Sequence, residues 1–136
     1  MIHTVAVEGY RSLRSLVLPL GRLSVITGAN GSGKSSVYRS LRLLADAAQN
    51  AVVASLAREG GLTSTFWAGP ETIARSVRQG THAVEGTAKN KVASLKLGFG
   101  GDEYGYSIDL GYPPPRGPGA PKTLFEFDPL IKRECL

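Results

Sequence analysis

The chain is poor in the residues that staple, span or coordinate. It holds one cysteine, Cys135, among 136 residues. No intrachain disulfide can form, and a reducing, cytoplasmic setting is the expectation. Long apolar runs are also missing. The longest, Leu16 to Leu20, contains Pro19 and lies among Arg11, Arg14 and Arg22. A secretory core needs roughly 7–15 apolar residues and a membrane span about 20. The N-terminal region therefore reads as neither, and no membrane partner is expected. Histidine is scarce: His3 and His82 have no companions at ligand spacing. Cys135 has no nearby His or Cys, so neither a metal centre nor a nucleophilic thiol is indicated. There is no internal repeat, and only the Pro- and Gly-rich stretch from Pro113 to Pro121 is compositionally biased.

What is present fits a globular unit. Hydrophobic residues make up 42% and charged residues 20%, near the average for folded domains. A chain of this size buries roughly two thirds of its unfolded surface, enough for one core. Lys and Arg outnumber Asp and Glu by 16 to 11, a net charge of +5. That permits an anionic partner, a nucleotide or DNA, without requiring one.

The periodicity divides the chain. Residues 2 to 8 are β-branched and partly alternating, as in a strand, and 16 to 20 read as a second. Leu23 to Thr27 read as a third, running straight into a glycine-rich turn. The period then becomes helical. Val37, Leu41, Leu44 and Ala48 predict one apolar face of a helix from about Lys34 to Gln49. A second helical pattern covers Ala51 to Ala57, with Gly60-Gly61 as a stop. Pro70 suits the first turn of a short helix over Glu71 to Gln79. Strand patterns return at Val92 to Phe99 and Tyr104 to Tyr112, joined by Gly100-Gly101-Asp102 as a hairpin, then at Thr123 to Phe127 and Leu130 to Leu136.

Residues 28 to 35 match G-x-x-x-x-G-K-S, the phosphate-binding loop. The spacing has a physical reason. Backbone N–H groups must surround a phosphate, and Gly28, Gly31 and Gly33 remove side chains that would block it and tolerate positive φ. A helix beginning at Lys34 adds its dipole and free amides. Lys34 is the expected catalytic lysine, reaching the β- and γ-phosphates. The Ser35 hydroxyl is the expected Mg²⁺ ligand, and Ser36 is placed for an α-phosphate oxygen. An apolar strand before and an amphipathic helix after support the motif against a plain serine-capped turn.

Hydrolysis also needs a carboxylate near the metal and a group that positions water. Asp109 and Asp128 alone follow strand-like residues, and neither ends an apolar strand. The carboxylates are expected outside these 136 residues. Residues 75 to 96 are locally basic, which reads more readily as a solvated face than as a nucleic-acid track. Phe66-Trp67 reads as a core pair before it reads as a base-stacking platform.

These residues resemble a family. Glu8-Gly9-Tyr10-Arg11-Ser12-Leu13, closing the first strand, is similar to the opening turn of RecF-type and structural-maintenance-of-chromosomes (SMC) ATPases. Gly28-Ala29-Asn30-Gly31-Ser32-Gly33-Lys34-Ser35-Ser36 is similar to that group's phosphate loop. The match is strong over residues 2 to about 48. The resemblance implies an α/β P-loop NTPase fold: an ABC-type N-terminal lobe, with a mixed or antiparallel sheet around the loop helix. It implies ATP and Mg²⁺ as cofactors, and places Arg11 and Ser12 near the nucleotide. It further implies head-to-tail homodimers through the nucleotide site, with DNA maintenance or defence as the setting. Residues 1–136 are then expected to be the N-terminal nucleotide-binding lobe of a longer chain, inactive alone. A small metabolite kinase and a non-catalytic nucleic-acid-binding module are the alternatives. A kinase usually carries its loop nearer the N-terminus and an Arg-rich lid. The module would show no preference for triphosphate over duplex DNA.

Overall fold

In the computed structural model, residues 1–67, 94–113 and 128–136 are described. The expected helix over 71–79 and strand over 123–127 lie outside them. The order is β1 (Ile2–Tyr10), β2 (Leu13–Pro19), α1 (Lys34–Ala47), α2 (Val52–Arg58), α3 (Leu62–Thr65), β3 (Ser94–Gly101), β4 (Gly105–Gly111) and β5 (Leu130–Cys135). The strands form one sheet ordered β2-β1-β3-β4-β5. Every pairing among the described strands is antiparallel, the second of the two arrangements expected.

Alternation sets the two faces of the sheet. Val5 and Val7 on β1, Leu95 and Leu97 on β3, and Ile108 and Leu110 on β4 are buried in the core. Register puts Val7 opposite Leu97 and Leu97 opposite Ile108. The other face carries Glu8, Lys96, Asp109 and Arg133 in one cross-strand row. Opposite charges at neighbouring positions suit a solvated face, and Lys96 reaches Glu8 at 3.2 Å. Pro19 closes β2 at the edge of the sheet, where a missing N–H does no harm.

β1 ends in a sharp device. Gly9 has φ 76°, and a Cβ there would lie 2.3 Å from the Ser94 carbonyl oxygen, so no other residue fits. The two-residue turn to β2 puts Arg11 at φ 49°, a conformation such hairpins usually give to glycine. Outside bonds hold it: Arg11 N–H donates to the Thr65 carbonyl at 2.7 Å, and Trp67 N–H to the Gly9 carbonyl at 2.8 Å.

α1 covers the apolar face of the sheet, with α2 beside it. Its buried residues are Ser36, Val37, Ser40, Leu43 and Leu44. The buried stripe is thus rotated from the expected one, and Ala48 is exposed. Ser40 can occupy the stripe because its hydroxyl donates to the Val37 carbonyl at 2.7 Å, which satisfies the polar group inside the core. Gly60 and Gly61, at φ 92° and 84°, end α2 as expected. Phe66 is buried in the core, and Trp67 is partly covered. His3 and the N-terminal ammonium both contact the Asp102 carboxylate, which holds it below its ordinary value.

The expected third strand is corrected. Leu23 to Thr27 forms no strand: it begins in a bend at Leu23 and continues without regular structure. Leu23, Val25 and Ile26 are exposed, and no described strand pairs with them. A β-prone sequence becomes a strand only where a sheet edge receives its N–H and C=O groups.

Candidate functional site

The loop from Gly28 to Gly33 leads directly into α1. Its turn is closed by Ser32 N–H donating to the Ala29 carbonyl at 3.3 Å. Gly31 and Gly33 take positive φ, 82° and 99°. Gly33 is the N-cap and offers no side chain to the helix end. The first helical bond runs from Val37 N–H to the Gly33 carbonyl at 3.0 Å. The amides of Gly31, Gly33, Lys34 and Ser35 therefore make no hydrogen bond among the described residues. These four donors lie at or just before the N-terminus of a 14-residue helix, the end whose partial positive charge favours anions.

Lys34 folds back over this loop. Its Nζ donates to the carbonyl oxygens of Gly28 and Ala29, each at 2.6 Å. Ser35 is exposed and has no partner among the described residues, whereas Ser36 is buried. The Ser36 and Ser12 hydroxyls share a hydrogen bond of 2.8 Å. A Cβ on Gly33 would stand 3.3 Å from Ser12 Oγ, so the β1–β2 turn abuts the base of the loop. Ala29, Asn30 and Ser32 are exposed on its rim.

Arg11, next to Ser12, points elsewhere. Its guanidinium donates to Glu59 Oε2 through Nε at 3.0 Å and Nη2 at 2.7 Å. The same oxygen accepts the Tyr10 hydroxyl at 2.7 Å. Burial, then the bond to Glu59, pushes the Tyr10 hydroxyl up to about 12. The Glu59 carboxylate raises Arg11 above its ordinary value. This knot ties the β1–β2 turn to the end of α2.

Beyond Lys34 and Ser35 a cleft of about 710 Å³ opens between α1 and α2. Its acids, Asp46 and Glu59, were not candidates from sequence. Asp46 was legible in principle, because Lys34, Tyr38, Arg42 and Asp46 recur every four residues on one helix stripe. Glu59 gave no such signal. Neither is placed as a water-positioning carboxylate. Asp46 lies about 18 Å along the axis from Lys34, at 1.5 Å per residue, and accepts the Ser55 hydroxyl at 2.5 Å. Glu59 is held by Arg11 and Tyr10. Asp109 alternates onto the far face of the sheet and accepts the Ser94 hydroxyl at 2.6 Å. Among the described residues, no cluster of His, Cys, Asp or Glu could hold a metal. No described helix is long and apolar enough to cross a membrane.

A glycine loop with unpaired amides, a lysine and a serine on the first helical turn, and a helix packed on a sheet define a P-loop nucleotide-binding domain of the AAA type. The chain belongs to the family described as "AAA domain, putative AbiEii toxin, Type IV TA system", whose model matches residues 23–131. Comparisons with curated proteins and with solved structures gave no match.

Proposed function

We propose that residues 28–36 bind ATP with Mg²⁺, and that the protein is an ABC-type ATPase of the RecF/SMC-like group. The observation that carries the reading is the row of four unpaired amides at the start of α1, with the Lys34 ammonium beside them. The residues fit the ligand. Gly31 has open space where a Cβ would stand, so a phosphate can approach the backbone. Lys34 exchanges its two loop carbonyls for phosphate oxygens, a stronger, charge-assisted pairing. Ser12, through Ser36, holds the base of the loop against the β1–β2 turn. Mg²⁺, held by Ser35, would neutralise phosphate charge as phosphoryl transfer proceeds.

The group assignment rests on the resemblance at residues 2–13 and 28–36. A homodimer through the nucleotide site, DNA maintenance or defence, and hydrolytic carboxylates contributed from outside residues 1–136 all follow from that resemblance. Calorimetric titration with Mg-ATP tests the central claim. Lys34→Ala is expected to weaken binding about 10- to 100-fold, the loss of a hydrogen bond to a charged group. Ser35→Ala is expected to weaken it only when Mg²⁺ is present. Equal affinity for wild type and Lys34→Ala would remove the loop from the function.

A further inference from the structure

We infer that the cleft between α1 and α2 binds a second phosphate-bearing ligand of the nucleotide class, alongside the triphosphate at the loop. The inference goes beyond the ATP reading and does not depend on hydrolysis. It starts from unmatched charge. Arg39, Arg42 and Arg58 line the cleft together with Lys34. None of the three guanidinium groups forms an ion pair or hydrogen bond among the described residues.

Two carboxylates also line the cleft, but neither is paired with these cations. Glu59 is already committed to Arg11, and Asp46 takes its hydrogen bond from Ser55. Asp46 sits at the end of the cleft farthest from the loop, so the cationic stretch runs from Lys34 to Arg42, about 12 Å along α1. Arginines presenting unused planar donors favour phosphate above other anions, because the fork geometry matches its oxygens.

A ring completes the ligand class. Tyr38 lies between Lys34 and Arg42 on the same helix stripe, lines the cleft and is 68% exposed. An aromatic face left open among cations is what base stacking uses. The whole cleft, including the end at Lys34 and Ser35 that borders the loop, measures about 710 Å³, within the range of small-ligand sites. It suits a mononucleotide or the phosphorylated end of a nucleic-acid strand. Both present a phosphate and a planar base, and the cleft geometry answers to that shared chemistry. An acidic peptide would use the arginines but leave Tyr38 without a role.

The experiment keeps the loop filled. The full chain is saturated with a non-hydrolysable ATP analogue and Mg²⁺. Two fluorescent probes are then titrated by anisotropy: labelled adenosine monophosphate, and a short 5′-phosphorylated single-stranded oligonucleotide. At least one probe is expected to bind saturably, more weakly at higher salt. The double variant Arg39→Ala/Arg42→Ala is expected to lose about tenfold or more in probe affinity, and Tyr38→Ala about tenfold. Both should keep analogue affinity within about twofold, since these exposed side chains lie off the loop.

Binding of the oligonucleotide alone identifies a strand end as the source; equal binding of the monophosphate identifies a mononucleotide. The inference is overturned if neither probe binds saturably, or if the double variant binds as wild type does. It is also overturned if Lys34→Ala abolishes probe binding while the double variant leaves it intact. The probes would then have been occupying the loop. Loss of analogue binding alone in Lys34→Ala, with the probe still bound, upholds the cleft and separates its fate from that of the loop.

Discussion

Gly9 and Gly31 share a positive φ, 76° and 82°, in two regions built to opposite ends. Around Gly9 the chain closes on itself: a Cβ there would sit 2.3 Å from the Ser94 carbonyl oxygen. Around Gly31 the chain opens outward, with nothing within 4 Å of the same hypothetical atom. In the sheet, left-handed glycine lets two backbones meet. In the loop, it turns amides toward a group the chain does not itself supply. The inner strands pair on both sides, whereas the loop leaves four backbone donors unpaired among the described residues. That surplus is what the proposed nucleotide binding uses.

The sharpest way to break this contrast is to add the same side chain to both. Gly9→Val is expected to cost about 3 kcal/mol or more, from the clash with backbone together with left-handed strain on a β-branched residue. Gly31→Val carries the strain without the clash, and should cost the fold about 1–2 kcal/mol while blocking phosphate approach. Denaturant unfolding gives the first quantity and Mg-ATP titration the second. Equal destabilisation by the two variants would show that the regions do not differ as described.

The join between the regions offers a smaller test. Arg11 and Glu59 are 26% and 20% exposed, and one carboxylate oxygen serves both Arg11 and Tyr10. Glu59→Ala leaves a partly exposed guanidinium and a fully buried phenol without their acceptor. Partial exposure lets water replace some of what is lost, so about 2 kcal/mol is expected. Glu59→Gln, which keeps an acceptor oxygen, should recover part of it. If Glu59→Ala melts at the wild-type temperature, the knot contributes nothing to joining α2 to the turn.

The tyrosines give a pH dependence confined to the sheet side. Tyr10 and Tyr106 are both pushed up to about 12, first by burial and then by Glu59 and Glu134 respectively. A folded value above the unfolded one means that the folded state holds its proton more tightly. The stability is therefore whole below pH 10 and is lost as pH rises from about 10 toward 12. For Tyr10 the loss is expected to be roughly 1–2 kcal/mol. Tyr10→Phe should flatten the fall in melting temperature across that window. An unchanged slope would mean that the Tyr10 hydroxyl is not held as described.

The two regions also differed in how far they could be read from sequence. The phosphate loop was legible at single-residue level, because backbone geometry forces glycine at fixed spacings. Strand β4 showed in its alternation, and β3 in a run of strand-like residues. Which face of α1 is buried did not, because Ser40 enters the core only by bonding to Val37, a contact with no sequence signature. Arg11 and Ser12 are adjacent, yet one meets Glu59 and the other Ser36. Only the turn geometry and α2 separate them. The family match begins at residue 23, so the turn that carries half of the RecF/SMC resemblance lies outside it.

The smallest effect expected is also the one that explains the misread segment. Val7 and Val25 both sit in β-branched runs preceding a glycine. Val7 is 2% exposed, opposite Leu97 and Leu16, while Val25 is 76% exposed. Val→Thr keeps the branched shape but replaces one methyl with a hydroxyl, so its cost reports how dry the surroundings are. At Val7 that hydroxyl enters the apolar core, and about 1–3 kcal/mol should be lost. At Val25 it meets water, and the change should lie within about 0.5 kcal/mol. Both values come from chemical unfolding of the same chain. A loss at Val25 matching that at Val7 would mean that the segment before the loop is buried in solution, paired as its sequence invites. A flat response fixes it as the place where strand propensity is present and a partner is not.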